Sequence, residues 1–279
     1  MVWGGGFKFY KEILRKLRYN INIMKIMMRD KTIERVEEKY LLTRSEKTAL
    51  MKAVRKYLER DEYYKEEVLS LYFDTKNYDL AIKSIDRPDF REKVRVRAYD
   101  VPKRSSRVFF EVKTKFVQGK RKIGDKRRLS VKLGDFYKYL DKGESLERIA
   151  DKSSRGDAQQ LQVARELDYM MKHYRLEPKV VVTADRVAFK GKEDAEFRLT
   201  FDENLRFRED ELRLEKGSRG EKYFPAVGEK ERAIIMEVKT MRAMPPWFVA
   251  ELSRLRIYPV RFSKYGKIYQ LIQERKKNV

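Results

Sequence analysis

The chain has 279 residues, 42% of them hydrophobic and 12% aromatic, which is enough apolar material for a sizeable core and excludes a disordered chain. Charged residues make up 40%, and 67 Lys and Arg against 44 Asp and Glu leave a formal charge of +23; this points to a polyanionic partner, whether nucleic acid, an anionic membrane surface or condensed phosphate. With no cysteine and a single His173, zinc sites of thiolate and imidazole, a disulfide framework and a Cys- or His-based triad are excluded, so any metal must sit on oxygen ligands, as magnesium and manganese do.

Residues 1–30 stand apart from 31–279 in composition. Ile13, Leu17, Ile21, Met24 and Met28 recur at helical spacing among Lys11, Arg15, Lys16, Arg18 and Lys25, which predicts a basic amphipathic helix. Residues 9–29 thus suit docking on the body of the protein, on a protein partner or on an anionic membrane surface. No apolar run approaches the roughly 20 residues of a membrane span, and no signal-peptide pattern opens the chain, so the expected location is cytoplasmic, at most peripheral to a membrane.

From Ile33 onward, short strands alternate with amphipathic helices. Strands are predicted at 33–42, 67–74, 92–99, 107–116, 120–133, 179–189, 195–208 and 232–241, and helices at 45–60, 77–85, 157–174, 246–255 and 263–274. Residues 141–156 and 214–230, rich in Gly, Ser and charge, read as loops. His173, beside Tyr174 on a predicted helix, reads as structural.

The chemistry lies in the strand alternation. Side chains on a strand alternate between faces, so Lys93, Arg95 and Arg97 share one face while Val94, Val96 and Ala98 share the other. Glu111, Lys113 and Lys115 oppose Phe110, Val112 and Thr114; Lys126 and Arg128 flank Arg127. Arg198, Thr200 and Asp202 oppose Leu199 and Phe201, and Glu237 and Lys239 oppose Met236, Val238 and Thr240. One such strand reads as the wet face of an ordinary sheet. Several together, mostly cationic, repel across the sheet unless an anion sits among them. The expected fold is therefore α+β: a closed antiparallel β-barrel tunnel of about eight strands, its lumen polar and basic, covered outside by helices.

These residues resemble the VTC domain of polyphosphate polymerases, a branch of the CYTH or triphosphate tunnel metalloenzyme superfamily, over about residues 33–272. RVEEKYLL places Glu37 and Lys39 at the last two positions of the superfamily's ExExK signature, with Arg35 where the first glutamate stands. KVRVRAY supplies Arg95 and Arg97; FFEVKTK supplies Glu111 and Lys113; KRR supplies Lys126 and Arg128. TADRVAF gives Arg186, with Ala184 where some members carry a tyrosine; FRLTFD gives Arg198; MEVKT gives Glu237 and Lys239; FSKY gives Ser263 and Lys264.

The resemblance implies an enzyme that moves the γ-phosphate of ATP onto inorganic polyphosphate. Lys39, Arg95, Arg97, Lys113, Lys126, Arg186, Arg198 and Lys264 would grip the phosphates around the reaction. Glu37, Arg128, Lys239 and Ser263 would bind substrate, and Glu237 with Glu111 would hold Mn2+ or Mg2+. Two other readings stay open. One is a triphosphatase on the same fold, against which Arg35 counts because an acid is lost there. The other is a non-catalytic protein binding polyphosphate or RNA; nucleic acid is disfavoured because no helix-turn-helix, RNP or zinc-finger signature occurs.

Overall fold

Strands that carry charge on one face need cover for the other, and the helices provide it. The computed structural model describes residues 35–278 apart from 119–120, 224, 228–229, 232–233 and 242, so the helix expected within residues 1–30 lies outside the described residues. Val36–Val279 forms one compact unit.

The strands are β1 (Arg35–Leu42), β2 (Leu58–Asp74), β3 (Phe90–Tyr99), β4 (Arg107–Gln118), β5 (Arg121–Lys132), β6 (Glu177–Gly191), β7 (Arg198–Arg208), the two-residue β8 (Glu221–Lys222), β9 (Ala226–Val227) and β10 (Lys230–Glu231), and β11 (Ile234–Met241). The helices are α1 (Arg44–Val54), α2 (Asp79–Asp86), α3 (Leu133–Lys142), α4 (Leu146–Ser154), α5 (Ala158–His173), α6 (Pro246–Arg254) and α7 (Lys264–Lys277). The main sheet runs β1-β11-β7-β6-β2-β3-β4-β5, with β8 beside β7. Among the described residues no helix is long and apolar enough to cross a membrane.

The α+β class holds, but the sheet is not closed into a barrel. Its two end strands, β1 and β5, satisfy their outer edges elsewhere. On β5, the Ser130 N–H donates to Gln160 Oε1 (3.2 Å), Gln160 Nε2 donates to the Arg128 carbonyl (3.3 Å), and Ser153 Oγ donates to the Ser130 carbonyl (3.2 Å). On β1, the Lys39 carbonyl accepts from the Val260 N–H (2.7 Å). These contacts occupy part of each edge, where a further strand would otherwise pair. The sheet nevertheless curls far enough for Lys113 on β4 to reach Glu37 on β1, although several strands separate β1 from β4 in the sheet order.

The apolar faces build two outer layers. Leu69, Leu71, Val94, Val96, Phe110, Val112 and Leu129 pack against α3, α4 and α5 through Phe136, Ile149 and Leu167. Leu42, Leu199, Phe201, Met236 and Val238 pack against Leu50 and Val54 of α1 and Phe248 and Leu252 of α6. A third cluster lies on the inner side, where Tyr265, Ile268 and Ile272 of α7 plug one end against Tyr72, Val180, Val182 and Phe207. At about 25 cal/mol per Å² of apolar surface removed from water, these layers supply most of the drive to fold.

Two stretches differ from expectation for local reasons. Residues 141–156 contain the end of α3 and all of α4, and their Gly and Ser are caps: Gly143 ends α3 at φ +68°, and Ser145 accepts from the Arg148 N–H to start α4. The helix expected to reach residue 60 stops at Val54, followed by a tight turn over Arg55–Tyr57 whose Tyr57 ring stacks on Trp247 at 4.4 Å. β2 then starts at Leu58, pairing with Gly191. Its first residues, LERDEYYKE, are largely exposed, so no burial alternation marked them as strand.

Candidate functional site

Arg95 and Glu111 are direct cross-strand neighbours on β3 and β4, and the Arg95 guanidinium donates from Nε (2.9 Å) and Nη2 (2.8 Å) to Glu111 Oε2. Lys126 approaches Glu111 from β5 at 3.8 Å. Arg186 and Asp202, paired on β6 and β7, form a two-pronged bridge, with Nε to Oδ1 at 2.7 Å and Nη2 to Oδ2 at 2.8 Å. Lys264, at the start of α7, pairs with the same Asp202. A third group links three strands: Lys39 bonds Glu237 and lies 3.2 Å from Glu37, Lys113 donates to Glu37 at 2.9 Å, and Lys239 pairs with Glu237.

α7 is held in place by Asp74 at the end of β2. This buried carboxylate accepts from the backbone N–H groups of Thr75, Leu80 and Ala81 and from the Tyr265 hydroxyl (2.7 Å), tying α2 and α7 to the sheet. Ser263 caps α7 by accepting from the Gly266 N–H, and its Oγ also accepts from Lys93 Nζ at 2.9 Å. The plug therefore brings Ser263 and Lys264 to the charged half of the concave face.

Three expected residues sit less centrally. Among the described residues, Arg97 reaches only Ser70 Oγ, at 3.4 Å. Arg128 lies 4.7 Å over the Phe109 ring. Arg198 shares the face of Thr200 and Asp202, but its half-exposed guanidinium stands 3.9 Å from Asp61, away from the main ion pairs. Two residues absent from the expected set are central: Asp202, which joins Arg186 to Lys264, and Lys93. Parity finds both, since Lys93 shares a face with Arg95 and Arg97, and Asp202 with Arg198 and Thr200. Tyr72 is core, as its strand setting suggests, yet its hydroxyl also accepts from Arg95 at 3.4 Å.

The electrostatics follow from crowding. Burial pushes the Glu237 carboxyl up, but Lys39 and Lys239 outweigh it and hold it well below the usual range. Glu37 is held at about 2: burial and Glu237 push it up, and Lys39 and Lys113 pull it further down. Burial, reinforced by Lys113 and Lys39, drives the Lys93 ammonium well below its ordinary value. Burial and Lys113 bring Lys115 to about 8. Lys126 falls to about 8 through burial together with Arg128 and Arg95, despite Glu111.

A lysine whose folded value is depressed holds fewer protons than it does in the unfolded chain, so folding gains as pH climbs through the gap. The window for Lys115 and Lys126 opens at about 8 and closes near the ordinary value of 10.5. The melting temperature of the ligand-free protein is therefore expected to rise from about pH 7.5 to about pH 9.5. Bound tripolyphosphate, which favours the charged amines, is expected to flatten or reverse that rise; a flat ligand-free profile would contradict it.

Among the described residues, no group of three or more His, Asp or Glu is arranged to hold a metal. Glu37 and Glu237 are nonetheless drawn together by the shared Lys39. Glu111 is fully buried and closed on Arg95.

A comparison with curated proteins returns no match. Among solved structures, the PH1819 protein from Pyrococcus horikoshii OT3 is similar at 10% identity and a TM-score of 0.43, covering 85% of this chain and 99% of its own. A Vibrio parahaemolyticus protein assigned provisionally as an adenylate cyclase is similar at 12% identity and a TM-score of 0.42, covering 85% of this chain and 97% of its own. The VTC domain family model matches residues 34–273, a span that holds every side chain of the site described above. The chain belongs to the VTC domain family.

Proposed function

We propose that the protein is a polyphosphate polymerase, which transfers the γ-phosphate of ATP to the end of a growing polyphosphate chain with the help of Mn2+ or Mg2+. The observation that carries this reading is the convergence of Arg95, Arg186, Lys39, Lys113 and Lys264 from separate elements onto one concave face. Phosphoryl transfer asks for cations placed around equatorial oxygens and for an in-line acceptor, with little covalent chemistry from the protein. A terminal oxygen of the chain would attack the γ-phosphorus while the bond to the β,γ-bridging oxygen breaks, and the electron pair would leave on ADP.

Glu111, Asp202 and Glu237 compensate these cations at positions that substrate oxygens would take. Arg95 and Arg186 would orient phosphates through planar forks, and Lys39, Lys113, Lys126 and Lys264 would neutralise charge. Hard divalent ions take one or two carboxylates together with substrate phosphates, which the pair Glu37 and Glu237 suits better than Glu237 with the enclosed Glu111. When bound, such an ion would offset charge on the leaving diphosphate.

Purified protein incubated with ATP and Mn2+ is expected to yield ADP and long-chain polyphosphate, resolved on a gel. Release of orthophosphate with no chain product would support the triphosphatase reading instead.

A further inference from the structure

Lys93 and Ser263 form a pair to which the proposed transfer gives no chemical part. Lys93 Nζ lies 2.9 Å from Ser263 Oγ, a contact between β3 and the residue that caps α7. Both residues are only partly buried, so a phosphate on the concave face can reach them.

The setting of Lys93 favours an amine over an ammonium. Among the described residues it has no ion pair, and its ladder partner on β4 is another lysine, Lys113. Lys115 on β4, Lys39 on β1 and Arg95 on β3 add to the crowding. Burial and like charge both penalise the protonated form, and together they drive the ammonium well below its ordinary value. With the amine uncharged, the 2.9 Å contact runs the other way: the Ser263 hydroxyl donates to Nζ, while its oxygen keeps the Gly266 N–H at 3.1 Å. A Cβ at residue 266 would stand 3.3 Å from Ser263 Oγ, so glycine there leaves the hydroxyl uncrowded.

A serine hydroxyl is a weak nucleophile until a neighbouring base takes its proton, and a Ser and Lys pair is one arrangement that does so. Cations flank the hydroxyl as phosphoryl transfer requires: Lys264 is the next residue, and Lys113 lies across the ladder from Lys93. The product would also be favoured, because a phosphoserine capping α7 places its charge at the positive end of the helix dipole.

We infer that Ser263 accepts a phosphoryl group from a nucleoside triphosphate bound on the concave face, with Lys93 as the base. This rests on the reading of that face as an ATP site and adds an acceptor within the chain itself. The Ser263 oxygen bonds to the γ-phosphorus as the bond from that phosphorus to the β,γ-bridging oxygen breaks. The electron pair leaves on the nucleoside diphosphate, and the hydroxyl proton passes to Lys93 Nζ. Lys93 thereby becomes an ammonium beside the new phosphate and offsets its charge.

The test incubates the full chain with Mn2+ and ATP carrying a labelled γ-phosphate, maps the label by peptide mass spectrometry, and follows ATP turnover and polyphosphate in the same samples. Phosphoserine at Ser263 is expected. Ser263→Asn keeps a side-chain oxygen for the α7 cap and should lose the label. Lys93→Arg keeps a positive charge but cannot act as a base, so labelling should slow by about a hundred-fold or more. Labelling of that variant as fast as the parent, or label only on other residues, would overturn the inference. So would polyphosphate made by the unmodified protein with no phosphoserine, a result that leaves the polymerase reading standing. Absence of label together with absence of any ATP turnover would overturn that reading as well.

Discussion

Replacing Asp202 with alanine is expected to destabilise the ligand-free protein by about 3–5 kcal/mol, because it strands two buried cations. Asp202 is 3% exposed and is the shared partner of Arg186 and Lys264, whose side chains are themselves only 13% and 19% exposed. The attraction of both holds the Asp202 carboxyl far below the usual range even though burial pushes it up. Removing it leaves two largely buried charges without their direct partner, with Glu237 as a further acid that acts on both. For a domain of this size the loss corresponds to a drop of roughly 10 °C in Tm. Tripolyphosphate should return much of that loss by supplying the missing negative charge. A variant as stable as the parent would mean that Arg186 and Lys264 reach solvent freely.

Glu237→Gln is expected to separate chemistry from binding. If Glu237 helps to hold the metal, turnover of ATP should fall about a hundred-fold or more, the scale on which removing one preorganised electrostatic group acts. The same change frees Lys39 and Lys239 from their shared carboxylate, so affinity for long-chain polyphosphate should hold or rise. Glu111→Gln makes a useful contrast. Its carboxylate closes on Arg95, so its loss should appear mainly in stability. Equal turnover losses in the two variants would speak against the Glu37 and Glu237 pair.

How much of this could be read from the sequence depends on the kind of interaction. Parity was enough for Lys93, Arg95 and Arg97 to share a face and for Val94, Val96 and Ala98 to share the core, because a strand permits nothing else. Parity does not say which cations meet an acid. Asp202 was visible beside Arg198 and Thr200, but its role depends on Lys264 arriving from a helix 62 residues later. Lys93 gains its importance from Ser263, 170 residues away. That the sheet stays open was illegible for a similar reason: Gln160, Ser153 and Val260 meet the edges of its end strands, and no local pattern announces such contacts. The missed α4 had a simpler cause, since Gly143 and Ser145 read as loop residues when they are helix caps.

The most direct measurement of the central claim is equilibrium binding of tripolyphosphate to the full chain at two salt concentrations, repeated with Arg95→Ala and Arg186→Ala together. Tight binding that weakens steeply with salt and is lost in the double variant is the predicted result. Binding no stronger than that of orthophosphate, or unchanged in the double variant, would contradict a shared phosphate site on the concave face.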